Sequence, residues 1–297
     1  MYNTIRFSVI IPLYNKEATL LRTLQSVAAQ KTAAFEVLVV DNGSTDAGPA
    51  LATAFGDPVR LLQISDRGVS QARNAGINAA QGDFMVFLDA DDSWEPDFLT
   101  TLQALINDFP EAGWYAIGYA FKWENRLQAP QQPLPKNFSR GYLPNYFELV
   151  TKGDMVATAS SVAIDVKVCQ SMGAFAVGER IGEDQDLWAR IALQYPVAFD
   201  KKVCAYYHQD ALNMATRSEV QTQAWPFIKR IAQQAAALQH PQLEAVYDYL
   251  GRHIVGQASQ LVLAKNYKAA QHLLQDPLAQ RQGMRFFFWK LRAWLGL

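Results

Sequence analysis

The sequence predicts an α/β fold, a mostly parallel sheet flanked by helices, with a helical C-terminal extension. Three observations carry that expectation. In the first half, short apolar segments alternate with stretches whose apolar residues recur at helical spacing. Those short segments are hydrophobic almost throughout, as strands covered on both faces must be. From about Ser218 the chain turns Ala- and Gln-rich and reads as helix to its end.

In order, Phe7 to Pro12 reads as a buried strand, and Ala18 to Gln30 as a helix with Leu20, Leu21, Leu24, Val27 and Ala28 at helical spacing. Phe35 to Val40 is a second strand, and Asp46 suits the cap of a short helix ending near Phe55. Val59 to Ile64 is a third strand, Val69 to Ala80 a helix, and Phe84 to Leu88 a fourth strand. Ser93, followed by Glu95 and Pro96, looks like the N-cap of a helix running to about Asp108. Beyond it the pattern is less regular. Trp114 to Trp123 and Ser160 to Val166 read as strands, and Ala129 to Pro135 as a Pro- and Gln-rich loop. Glu183 to Leu193 reads as a helix, and Val197 to Tyr207 as short strands. No internal repeat is visible.

The 297 residues are half hydrophobic, enough for a sizeable core, and 27 basic against 28 acidic residues speak against nucleic-acid binding. Cys169 and Cys204 lie in no metal or redox spacing and read as core thiols of a reducing compartment. No secretory signal is visible, and no run approaches the ~20 apolar residues that span a bilayer. A cytoplasmic chain, free or lying on the inner membrane surface, is expected.

Open parallel sheets bind ligands at the carboxyl ends of their strands. After the first strand comes Pro12-Leu13-Tyr14-Asn15-Lys16-Glu17, after the second Asp41-Asn42-Gly43-Ser44-Thr45-Asp46, and after the fourth Asp89-Ala90-Asp91-Asp92. Three acids within four residues repel one another unless a positive group lies between them. A hard divalent cation bridging to phosphates is one answer, and a solvated acidic turn ahead of a helix is the other. Asp184 has two readings as well, a proton-accepting base or a charge favouring the start of the helix that follows.

The segments Ser8 to Asn15, Asp41 to Asp46, Gly68 to Gly76 and Leu88 to Asp92, followed by Gly182 to Trp188, resemble glycosyltransferase family 2 in order and spacing. The resemblance covers roughly residues 6–210. It implies the GT-A fold and inverting transfer from a nucleotide-sugar, commonly a UDP-sugar. Residues 1–120 would bind donor and metal, residues 121–215 would form the acceptor half of the same domain, and residues 216–297 a helical tail. By the same resemblance Asp41 would bond the nucleotide base, with Pro12 and Tyr14 packed beside it. Asp89 would touch the ribose, Asp91 would be the main ligand of Mn²⁺ or Mg²⁺, and Asp184 the general base. His208 matches a histidine that helps hold metal or diphosphate, and Glu17 and Arg73 sit where relatives line the donor pocket. Glu183 or Asp186 would bind acceptor hydroxyls. Trp188 would be core or would stack on the acceptor. The acceptor would be a saccharide, free or lipid-linked, in surface polysaccharide or lipopolysaccharide synthesis.

Two other classes compete. A sugar-phosphate nucleotidyltransferase needs a Gly-rich basic loop where this chain has Pro-Leu-Tyr-Asn. A non-catalytic nucleotide-sugar sensor or assembly partner would have no use for both Asp91 and Asp184. A dinucleotide-binding dehydrogenase is excluded, since no G-x-G-x-x-G follows the first strand. At the end of the chain, Met284, Phe287, Phe288, Leu291, Trp294 and Leu295 share a helical face amid Arg281, Arg285, Lys290 and Arg292. Such a helix suits an anionic membrane surface or packing against protein.

Overall fold

The computed structural model describes residues 5–179, 181–209 and 221–297. Among them the chain forms two compact units, residues 5–144 with 155–209, and residues 145–154 with 221–297.

The first unit holds strands β1 (Phe7–Leu13), β2 (Glu36–Asp41), β3 (Val59–Gln63), β4 (Phe84–Phe87), β5 (Ser93–Trp94), β6 (Trp114–Trp123), β7 (Arg126–Gln128), β8 (Arg140–Tyr142), β9 (Val162–Asp165) and β10 (Val197–His208). Its helices are α1 (Glu17–Ala28), α2 (Gly48–Phe55), α3 (Val69–Ala79), α4 (Phe98–Asp108), α6 (Val166–Met172) and α7 (Glu183–Ala192). The second unit holds α5 (Tyr146–Lys152), α8 (Pro226–Ala237), α9 (Leu243–Leu263), α10 (Tyr267–Leu273), α11 (Pro277–Gln280) and α12 (Met284–Leu295).

The sheet runs β3-β2-β1-β4-β9-β6-β10-β5. β3, β2, β1 and β4 are parallel, β9 is antiparallel to both β4 and β6, and β6 and β10 are parallel again. In register, Leu13 lies opposite Asp41 and Ile10 opposite Phe87, so the carboxyl ends of three strands reach one edge together. The largely apolar strands have the cause expected for them. Phe7, Val9, Ile11 and Leu13 enter the core with Leu20, Leu24 and Val27 of α1, while Ile10 faces α3. That second contact is close: a Cβ on Gly76 would stand 2.5 Å from Ile10 Cγ2, so no side chain fits there.

Ser93 corrects an expectation. It begins no helix; it pairs with Tyr206 of β10, and the helix starts at Phe98. Pairing with a distant strand has overridden a local capping signal. The region Val197 to Tyr207 is one continuous strand with register shifts between Asp200 and Ala205, rather than several short ones. Both cysteines are buried and unbridged.

In the second unit, α9 supplies the core through Val246, Tyr249, Leu250, Ile254, Val255, Ala258, Leu261 and Val262. Phe147 of α5 packs edge-on against Tyr249 at 5.4 Å, and Arg252 Nη1 donates to Thr151 O at 2.7 Å. No helix among the described residues is long and apolar enough to cross a membrane.

His253 sits among the rings of Tyr249, Phe227 and Trp225, with centroids 4.6, 5.3 and 5.8 Å away. Its Nε2 has no hydrogen-bond partner among the described residues. Burial, with the neighbouring Arg252 charge, pushes its pKa down to about 3. The folded chain therefore keeps this ring neutral while the unfolded chain protonates it below about pH 6.5. Stability linked to His253 is full above that pH and falls by about 1.4 kcal/mol per unit as pH drops toward the folded value. The variant His253→Phe is expected to remove this dependence. Urea denaturation at pH 7.5, 6.5 and 5.5 should show the variant gaining on the parent chain with each step down. A constant difference would place the ring in water.

Candidate functional site

Loops from the strand ends lock one another at the shared edge. Asn15 adopts a left-handed backbone (φ 52°) and accepts from Thr45 N at 2.8 Å, while its own N–H donates to Ser44 Oγ at 3.1 Å. Glu17 N donates to Asp46 at 2.8 Å and Ala47 N donates to Glu17 at 2.9 Å, a reciprocal clasp. Glu17, expected along the donor pocket, thus has the neighbouring loop as its described partner. Asp41 is buried and accepts from Ser44 N at 3.0 Å, while Asn42 exchanges two hydrogen bonds with Gly68 at the start of α3. Pro12 is half-buried, and Tyr14 stands 50% exposed beside this edge, open to pack on a planar ligand.

The acidic segment after β4 divides its work. Asp89 faces Arg73, with Nη2 to Oδ1 at 2.8 Å. Asp91 faces Lys16, with Nζ to Oδ2 at 2.6 Å. Asp92 is buried, accepting from the His208 backbone N–H at 3.1 Å and from Ser160 Oγ. Burial, then the charges of Asp89 and Asp91, raises the Asp92 pKa well above the carboxylate range. One acid therefore belongs to the scaffold, and two stand at the edge with cationic partners. Repulsion among the acids, the reason for expecting a counter-charge, is met here by Lys16 and Arg73.

Arg73 is the hub. It is 3% exposed, and its second nitrogen, Nη1, reaches Glu183 Oε1 at 2.8 Å. Burial opposes its charge, but Asp89 and Glu183 outweigh burial and hold its pKa above the ordinary value. Glu183 and Asp184 occupy the first turn of α7, which Gly182 enters with φ 88°, a left-handed conformation suited to glycine. Asp184 Oδ1 accepts from Gln185 N at 2.7 Å, and Asp184 makes no ion pair among the described residues. Burial raises its pKa, with Arg73 pulling the other way. Burial and the Asp184 charge push Glu183 up to about 7, also against Arg73.

Two expectations change, and a third residue, His208, is engaged elsewhere in the fold. Trp188 is 1% exposed, with rings of Trp114, Phe175 and Phe87 at 5.6, 5.9 and 6.3 Å. It is a core residue with no open face for an acceptor sugar. Asp186 is fully buried and accepts from Arg190 Nε at 2.8 Å, while Arg190 also donates to the carbonyls of Met172 and Ala174. That network anchors α7 to the end of α6 and leaves Asp186 no role at an acceptor. His208 turns its Nε2 to Ser93 Oγ at 2.9 Å, and burial, helped by Arg22 and Lys122, lowers its pKa to about 4. A neutral imidazole suits a metal, but this one is engaged with Ser93.

Sequence reasoning gave no role to Lys16, Asn42 or Asn74. Asn74 makes two hydrogen bonds with the Phe175 backbone, at 2.9 and 3.0 Å, and ties α3 to the chain ahead of α7. All three residues lie inside segments already singled out, which was the available signal.

The family model for glycosyl transferase family 2 matches residues 8–171, more than half of the chain. The chain belongs to that family. Its sequence is 46% identical over 92 residues to the succinoglycan biosynthesis protein ExoO of Rhizobium meliloti, 30% of this chain and 26% of that one. It is 37% identical over 108 residues to the glycosyltransferase YibD of Escherichia coli, 35% of this chain and 31% of that one. The match thus spans about a quarter to a third of those relatives. In fold, this family 2 chain is similar to residues 1–349 of S. aureus TarS, solved in complex with UDP-GlcNAc. The TM-score is 0.73 at 20% identity, covering 98% of this chain and 88% of that one. The sheet and flanking helices described above are therefore those of a GT-A fold.

Proposed function

We propose that this family 2 chain is an inverting glycosyltransferase. It moves a sugar from a nucleotide-sugar, a UDP-sugar by analogy with the ligand of TarS, to a hydroxyl of a saccharide acceptor, free or lipid-linked. The setting is cell-surface polysaccharide or lipopolysaccharide synthesis, as the name of ExoO suggests. One observation carries the reading: a single buried guanidinium, Arg73, joins Asp89 at the nucleotide edge to Glu183 beside Asp184. A donor's anomeric carbon held at Asp89 and Asp91 would then lie within a side chain's reach of a carboxylate base.

The donor set fits a hard divalent cation. Among the described residues no three His, Cys, Asp or Glu side chains gather into a ready metal site, but Mg²⁺-type ions commonly bind through one or two carboxylates with substrate phosphates completing the shell. Asp91 would hold the ion after Lys16 gives it up, and His208 would join only by leaving Ser93. The ion would supply Lewis-acid stabilisation of the departing diphosphate.

The chain's own groups do the rest. Tyr14 and Pro12 pack on the base, and Asp41 accepts a hydrogen bond from it. Asp89 accepts from the ribose. Asp184 takes the proton of the acceptor hydroxyl as that oxygen attacks, from the face opposite the diphosphate, so the anomeric configuration inverts. Arg73 opposes the loss of charge that burial imposes on Glu183 and Asp184.

Nucleoside diphosphate release from a panel of nucleotide-sugars, with Mn²⁺, with Mg²⁺ and with chelator, tests the proposal. Slow turnover of one donor, lost on chelation and restored by metal, is expected. Donor binding with no turnover under any condition would instead favour a sensor or assembly protein.

A further inference from the structure

α12 is seated on the second unit by a narrow face. Phe286 and Ala293 are buried, and Gln271 Nε2 donates to Ala293 O at 2.9 Å. At ~100° per residue the opposite side carries Met284, Phe287, Phe288, Leu291, Trp294 and Leu295, and every one of them is more than half exposed. Six large apolar side chains on one outward arc are far more than the scattered surface apolar residues of an ordinary protein. Arg285 and Arg292 border the arc on one side and Lys290 on the other. No acid occurs after Asp276. The nearby cation Arg281 is already paired with Glu244 and Asp248, so the border itself is uniformly positive.

We propose that this outward arc of α12 lies in the surface of an anionic lipid bilayer. The aromatic and aliphatic side chains would enter the acyl boundary, with Arg285, Lys290 and Arg292 at the level of the phosphates. The arrangement fits an in-plane helix, with its apolar arc outward and cations on both flanks. The helix has 12 residues, about 18 Å, too short to span. A second copy of the chain is a poorer occupant, because two such arcs placed face to face bring their cationic borders together with no acid to separate them. The inference rests on α12 alone and does not depend on the catalytic reading.

Co-sedimentation of the full chain with vesicles tests it. Vesicles of phosphatidylcholine with one-third phosphatidylglycerol should bind it, pure phosphatidylcholine vesicles should bind it far less, and salt should weaken binding. The variant Arg285→Glu/Lys290→Glu should bind at least ~25-fold more weakly, at roughly fivefold per lost cation. Phe287→Ser/Phe288→Ser/Trp294→Ser should lose binding; these side chains face water, so an unchanged circular dichroism spectrum is expected. Light scattering without lipid completes the test. Absent vesicle binding, binding indifferent to both variants, or a lipid-free dimer abolished by the apolar triple variant would each overturn the proposal, the last in favour of a second copy.

Discussion

Asp184→Asn is expected to lower the transfer rate by about 10²- to 10⁴-fold, the usual contribution of a positioned general base, while donor affinity stays unchanged. The amide keeps the size of the side chain and can still accept from Gln185 N, which now meets Asp184 Oδ1 at 2.7 Å. What it loses is the ability to take a proton. The decisive comparison is with Glu183→Gln. Glu183 is held by Arg73, so its amide variant should disturb the network and change KM and kcat together. If Glu183→Gln abolishes turnover and Asp184→Asn does not, the base has been assigned to the wrong carboxylate. Titration of donor binding by calorimetry, alongside single-turnover rates with acceptor, separates the two outcomes.

Arg73→Met should be the most damaging substitution for the fold of the site. It leaves the Glu183 carboxylate buried without its cation and Asp89 without a partner, and breaking a buried pair in this way costs about 3–5 kcal/mol. The lower end is expected, because Asp89 remains partly open to water. Neutralising both acids in the same background, with Asp89→Asn and Glu183→Gln, should recover much of that stability without recovering donor binding. Arg73→Lys keeps the charge but reaches one carboxylate at a time, so it should be milder in stability and still poor in turnover. Urea denaturation and donor titration of the four proteins read both effects. Equal stability of Arg73→Met and the parent would mean that the guanidinium bridge contributes nothing net.

The strands that shape the ligand edge were legible because their burial is written into composition. β4 is hydrophobic end to end, β1 is so apart from Ser8 and β2 is so between Glu36 and Asp41, and α1 shows its core stripe plainly. What escaped were elements with too few residues to carry a period. β5 has two residues and exists through pairing with β10, while β7 and β8 have three each. α5, Tyr-Phe-Glu-Leu-Val-Thr-Lys, is two turns of mixed sequence whose only firm signal is the Asn145 cap. At the candidate site, the motifs singled out segments that the structure brings together, but not the partners of each residue within them. That Asp92 is scaffold and Asp89 is not depends on Ser160 and His208, far away in sequence. Arg73 meets a partner 110 positions on, which no local pattern encodes. Trp188 was resolved by its neighbours: three aromatic rings from other elements leave it no exposed face.

The placement of residues 145–154 with the C-terminal helices has a consequence for anyone who would treat this enzyme family as interchangeable parts. A chain cut after the last strand of the sheet would still carry α5, with Tyr146, Phe147, Leu149 and Val150 stripped of Tyr249 and the rest of α9. The graft boundary is therefore not a point but a pair of points. A chimera that keeps this sheet and borrows another tail must also exchange the ten residues from Asn145 to Asp154. In lineages that recombine such genes, α5 and α9 are expected to travel together although about ninety residues of unrelated sequence separate them.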